Sequence, residues 1–226
     1  MAVLPEASVS YQRIDSVAVY LKRSLFFIGC FWVLNQTAYL FTLREGLSSF
    51  YPPSGFAMFV VYYLGPKYLP VHFLAILVGG LPQRDVFSYN LEMLVPDLRQ
   101  FIIYAVAGLI LRKVNQGRSP LHSAFLYSAI AACVVTAILS SLFFNLDIDK
   151  PLKLYDTAWL ASTSSFFVGN LTGAIFILPL LMLFIHVKEV GLEQSKQQAL
   201  SGIFSIEKVS MLLLILALVF SVVLLS

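Results

Sequence analysis

Five apolar runs divide the chain, at 25–43, 101–111, 121–144, 171–185 and 209–225. Each is a span, or a large part of one, by the measure of roughly 20 apolar residues for a helix that crosses a bilayer. Only 12% of the 226 residues are charged and 59% are hydrophobic, whereas soluble domains average about 25% charged. An outer-membrane barrel would show ~10-residue alternating strands instead. The expected fold is therefore all-α, a polytopic integral membrane helical bundle, and the lipid bilayer is its first partner. A net charge of +3 points to no nucleic-acid surface.

The start of the chain is not a cleavable signal, because Glu6, Arg13, Asp15, Lys22 and Arg23 interrupt any apolar core and no small-residue cleavage pattern follows. Residues 1–22 read as a cytoplasmic segment and 23–226 as the membrane-embedded part. Cys30 and Cys133 lie inside apolar runs and read as free thiols, with no zinc or haem spacing.

Two segments resist a simple reading. Residues 51–81 span 31 positions, about 46 Å as one helix at 1.5 Å per residue, against a hydrocarbon layer of about 30 Å. A single crossing would also leave Lys67 near the bilayer centre, which costs several kcal/mol. Gly65-Pro66 suits a helix interior poorly, since proline removes a hydrogen bond and clashes with the preceding turn. The expectation is a hairpin of two short helices broken there, spanning or re-entrant. Residues 156–186 are again 31 positions, with Thr163, Ser164, Ser165, Asn170 and Thr172 at mid-depth. Gly169-Asn170 is the natural break for a second hairpin. Those polar residues serve either close helix packing or a polar binding cavity.

With a last span at 206–226, about eight transmembrane segments result, and both ends come out cytoplasmic. The inside then holds Arg13, Lys22, Arg23, Lys67, Arg112, Lys113 and Arg118, and the outside the other eight of the fifteen basic residues. That count shows no asymmetry. Orientation rests instead on the short basic loop carrying Arg112, Lys113 and Arg118, which favours the cytoplasm. A single crossing by 155–187 would turn the C-terminus outward.

Catalytic constellations are thin. No HExxH, CxxC, GxSxG or phosphate-loop pattern occurs, so neither an enzyme nor a cofactor or metal is expected. His122 and His186 read as interfacial. His72, two residues after Pro70, is either a hydrogen-bonded bundle histidine or a group that responds to protons or ligand. The densest ionisable cluster is Arg84, Asp85, Asn90, Glu92, Asp97 and Arg99. Asp97 and Arg99 enter a span just after Pro96, and an ionisable group inside a membrane is a functional candidate. Trp32, Asn35, Gln36, Tyr39 and Arg44 form a polar-aromatic set on the first span.

The stretch "YPPSGFAMFVVYYLGPKYLP" resembles the aromatic-Pro-Pro-[ST]-Gly and Leu-Gly-x-x-x-aromatic-Pro signature of the first family of membrane-associated sensor domains (MASE-type). These are inner-membrane input modules of bacterial histidine kinases and of cyclic di-GMP enzymes. "VGNLTGAIFILPLLMLF" resembles that family's second landmark, Gly-[DN]-x-x-Gly followed by proline and leucines. The likeness covers about 20–226. Tyr51 and Leu69 stand where the family most often has tryptophan.

The resemblance implies reception, not catalysis. A periplasmic or membrane-borne ligand would bind the bundle, with Tyr51, Pro52, Pro53, Ser54, Gly55, Gly169, Asn170 and Thr172 as landmark residues, beside Trp32, Gln36, His72, Asp97 and Arg99. The output, a histidine kinase or a diguanylate cyclase or phosphodiesterase, would be fused beyond Ser226 or supplied by a partner protein. Homo-oligomerisation stays open. The alternative is a small transporter or permease-like protein, since broken helices also mark a transporter's midplane site.

Overall fold

The computed structural model of the chain describes residues 16–44, 47–83, 91–116, 122–144 and 157–191. They form six α-helices: α1 (Val17–Tyr39), α2 (Pro53–Leu64), α3 (Leu69–Gly80), α4 (Leu91–Val114), α5 (Ser123–Phe144) and α6 (Thr157–Val190). A two-stranded antiparallel hairpin, β1 (Thr42–Arg44) and β2 (Leu47–Ser48), follows α1. Four of the helices are long and apolar enough to cross a membrane, over Val17–Tyr39, Leu94–Val114, Ala124–Phe143 and Leu160–Lys188. The protein is a helical membrane protein.

Contacts fix the helix directions. At the end where α1 begins, the Tyr20 hydroxyl donates to the Lys67 carbonyl at 3.2 Å. At its other end, Asn35 Nδ2 donates to the Gly79 carbonyl at 2.7 Å. Helices α1 and α3 therefore run parallel. Between them in sequence, α2 runs the opposite way, because it starts beside Asn35 and Gln100 and ends beside Arg112. The chain thus alternates direction through all six helices. One end of the bundle, here the entry end, carries the start of α1, the α2–α3 turn and the end of α6. The far end carries the β-hairpin and the start of α2.

Helix α2 is the axis of the bundle. It packs against α1, α4 and α6, and every residue from Pro53 to Tyr62 is buried. A helix hydrophobic all round has to be covered all round, and twelve residues, about 18 Å, are short enough for that. Its stop is legible in the chain. Gly65 adopts φ +83°, a conformation glycine takes without steric cost. The Arg112 guanidinium lies against Gly65 and donates to the carbonyls of Tyr62 and Tyr63 at 2.7 and 3.1 Å, two acceptors that the end of α2 leaves over. The break expected at Gly65-Pro66 is present, and α2 and α3 are the two short antiparallel helices it separates.

The second expected hairpin is not formed. Helix α6 runs unbroken for 34 residues through Gly169-Asn170 and through Pro179, so 157–190 is one crossing and eight segments are too many. The glycines have another job. A Cβ on Gly169 would overlap the Ser48 carbonyl oxygen, and one on Gly173 the Tyr51 carbonyl oxygen. They form a G-x-x-x-G face, which lets a backbone approach a membrane helix closely. Here the approaching backbone is the bend at 48–52 rather than a second helix. Gly55 on α2 meets the same surface, where a Cβ would lie 2.9 Å from the Gly173 carbonyl oxygen. The expected span at 206–226 lies outside the described residues.

The continuous α6 also sets how charge is distributed between the two ends. Lys22, Arg23, Lys67, Arg112, Lys113 and Lys188 sit on elements at the entry end. At the far end are Asp97 and Arg99, with Arg44 and Glu92 on the elements flanking them.

Candidate functional site

The far end encloses a cavity of about 270 Å³ between α1, α3, α4, α5, α6 and the bend before α2. Its wall is mixed. Phe31, Ile76, Ile103, Phe143 and Phe166 are apolar, while Asn35, Tyr39, Ser48, Tyr51, Asp97, Arg99, Gln100, Tyr104, Ser140 and Asn170 are polar.

Most of the polar wall is a connected set of hydrogen bonds. Tyr51 donates its hydroxyl proton to Asn35 Oδ1 at 3.1 Å and accepts from Gln100 Nε2 at 2.7 Å. Tyr104 donates to Asn170 Oδ1 at 2.5 Å, and Asn170 Nδ2 donates to the Phe166 carbonyl at 3.0 Å. The Ser54 hydroxyl sits between the Tyr51 and Asn170 carbonyls, at 2.8 and 3.0 Å. Behind it, the Tyr51 amide donates to the Gly169 carbonyl at 2.9 Å, and Thr172 Oγ1 is 2.9 Å from the Ser49 carbonyl. Inter-helix hydrogen bonds within membranes average about 0.6 kcal/mol. Several together hold the bend on α6, because the glycines let the two backbones touch.

Asp97 and Arg99 are the two formally charged residues in the cavity lining. Asp97 is 3% exposed. Arg99 is half-buried and donates to the Phe143 carbonyl in the last turn of α5, a position where a cation complements the helix dipole. One turn deeper lies an aromatic layer. Phe27 stacks near Phe56 and His72 at centroid distances of 5.3 and 6.2 Å, and His72 near Phe101 at 5.4 Å. His72 is fully buried, and neither ring nitrogen has a hydrogen-bond partner among the described residues.

Of the residues singled out in the sequence, the fold brings Tyr51, Asp97, Arg99 and Asn170 onto one cavity wall, with Asn35 and Tyr39. Pro52, Pro53, Ser54, Gly55, Gly169 and Thr172 build the junction behind that wall. Trp32 is not with them; it is 41% exposed on the outer face of α1. Gln36 and His72 lie outside the lining, and His122 is exposed near the entry end of α5. Arg84, Asp85 and Asn90 lie outside the described residues. Gln100, Tyr104, Ser48 and Ser140 were not foreseen. A signal for two of them exists, since Asp97, Gln100 and Tyr104 follow the i, i+3, i+7 spacing of one helix face.

No group of three His, Cys, Asp or Glu side chains able to hold a metal ion occurs among the described residues. Compared with protein-family models, with characterised proteins and with solved structures, the chain matches none.

Proposed function

We propose that this chain is a sensory input module of a bacterial inner membrane, which receives a small ligand in the far-end cavity and relays its presence to a cytoplasmic output. The observation that carries this reading is the meeting of the two landmark stretches. Tyr51 and Ser54 from one, and Gly169, Asn170 and Thr172 from the other, join through hydrogen bonds to form one side of a polar cavity. Such convergence is what a receiving site needs, and the resemblance to membrane-associated sensor domains supports the same reading.

Charge supports an orientation. Among the described residues, six basic residues lie on entry-end elements and two at the far end, a balance that favours a cytoplasmic entry end by the positive-inside rule. The cavity then faces the periplasm or the outer leaflet, and the N-terminus is cytoplasmic. A ligand shifts the bundle only by binding two arrangements with different affinity. The short α2–α3 unit, held at the far end by Tyr51 and at the entry end by Arg112, is the element such a shift would move. The output is a histidine kinase or a cyclic di-GMP enzyme, fused or as a partner protein. The transporter alternative drew on two pairs of half-helices, and one of them is a continuous helix.

The test is a fusion of the chain to a reporter kinase. Asn170→Leu and Tyr51→Phe should change the reporter's output while the protein still reaches the membrane, and His122→Ala should leave it unchanged. Equal output from all three variants, or solute flux through the purified protein in liposomes, would refute the proposal.

A further inference from the structure

The cavity narrows the chemistry of what it can receive, and the inference that follows rests on the sensory reading only in taking the cavity as a binding site. Its volume is about 270 Å³. That falls just below the ~300–1,000 Å³ of pockets for drug-sized ligands. Hydrogen bonds within the wall already engage most of its amide and tyrosine groups. Asn35 uses both ends of its amide, on Gly79 and Tyr51. Asn170 uses both ends of its own, on Phe166 and Tyr104. The Tyr51 hydroxyl both donates and accepts. These groups are engaged first in holding the bend in place, although each amide keeps a further donor and a further lone pair.

The charged pair is different. A carboxylate accepts about four hydrogen bonds and a guanidinium donates five, so each has room for a ligand beside the partners it has in the fold. Arg99 is tied to the end of α5 through Phe143, so its charge is held in place before any ligand arrives. Pre-organisation of that kind lowers the cost of binding. A ligand with a single charge would complement one member of the pair and oppose the other. The apolar surface of Phe31, Phe143 and Phe166 calls for a hydrocarbon or aromatic portion.

We infer that the cavity binds a small amino-acid-like zwitterion, its ammonium directed to Asp97, its carboxylate to Arg99 and its side chain to the phenylalanines. The protein in nanodiscs is equilibrated with L-leucine, L-phenylalanine and 4-aminobutanoate. Leucinamide and N-acetyl-leucine provide the single-charge comparisons, and glucose the neutral one. At least one zwitterion should bind at least about tenfold more tightly than both single-charge analogues, as expected when one partner of a desolvated charge pair is removed. Asp97→Asn should erase the preference over N-acetyl-leucine, and Arg99→Gln the preference over leucinamide. The analogue series on the unaltered chain decides the matter even where a variant fails to fold. Binding of no zwitterion, or equal binding of an analogue or glucose, overturns the inference. Zwitterion binding that leaves the reporter fusion silent sinks the sensory reading and keeps the ligand class; output driven by glucose does the reverse.

Discussion

Glycines decide the geometry of this bundle, and they do so for different reasons at different positions. At Gly173 an added Cβ would overlap the Tyr51 carbonyl oxygen, and a backbone atom cannot swing aside. Gly173→Ala should therefore cost at least about 3 kcal/mol, the upper part of the overpacking range. At Gly29, nothing lies within 4 Å of the same added carbon, so Gly29→Ala should stabilise α1 by about 0.5–1 kcal/mol. Thermal unfolding of the two variants in detergent checks the contrast, and similar values would mean that the bend at 48–52 does not lie on α6. His72 gives a second residue-scale test. A buried imidazole without hydrogen-bond partners among the described residues carries a desolvation cost of roughly 1–3 kcal/mol, and an apolar replacement of similar shape is neutral or stabilising. His72→Leu should leave the melting temperature unchanged or raise it. A clear fall would show that the ring nitrogens are bonded in the membrane.

At the scale of elements, one break was legible and the other was not. Gly65-Pro66-Lys67 combines a missing donor, a positive-φ glycine and a charge that cannot remain in the hydrocarbon layer, so three effects agree on a turn. Gly169-Asn170 has only a glycine and a polar side chain. In a helix exposed to lipid such a pair weakens the helix; under another backbone it is what packing requires. Which holds depends on where residues 48–52 lie, and no local pattern in α6 contains that information. The cavity wall was half legible for the same reason. Tyr51, Asp97 and Asn170 stand out as polar groups in apolar surroundings, whereas Ser48 and Ser140 look like ordinary small residues until the helices meet. The continuous α6 has its own test. In a background without Cys30 and Cys133, cysteines placed at Leu160 and Lys188 should react with an impermeant maleimide from opposite faces of the membrane. Reaction from the same face would restore the hairpin.

Across the whole molecule, the division of labour runs between two ends. The entry end is basic and closes α2 with Arg112, while the far end gathers an amide, tyrosine and charged-pair wall around a cavity. The alternating helices keep the starts of both landmark stretches at the same end, because the start of α2 and the first half of α6 lie at one depth. The proposed sensory function requires that cavity to open to the outer face alone. The direct measurement places single cysteines at Gln100, which lines the cavity, and at Lys113, about three and a half turns further along the same helix α4 by the ~3.6-residue repeat. Impermeant thiol reagent added from the periplasmic side should modify the cysteine at 100 and spare the one at 113, with the pattern reversed in inverted vesicles. Modification at 100 from the cytoplasmic side, or from neither side, would contradict the account.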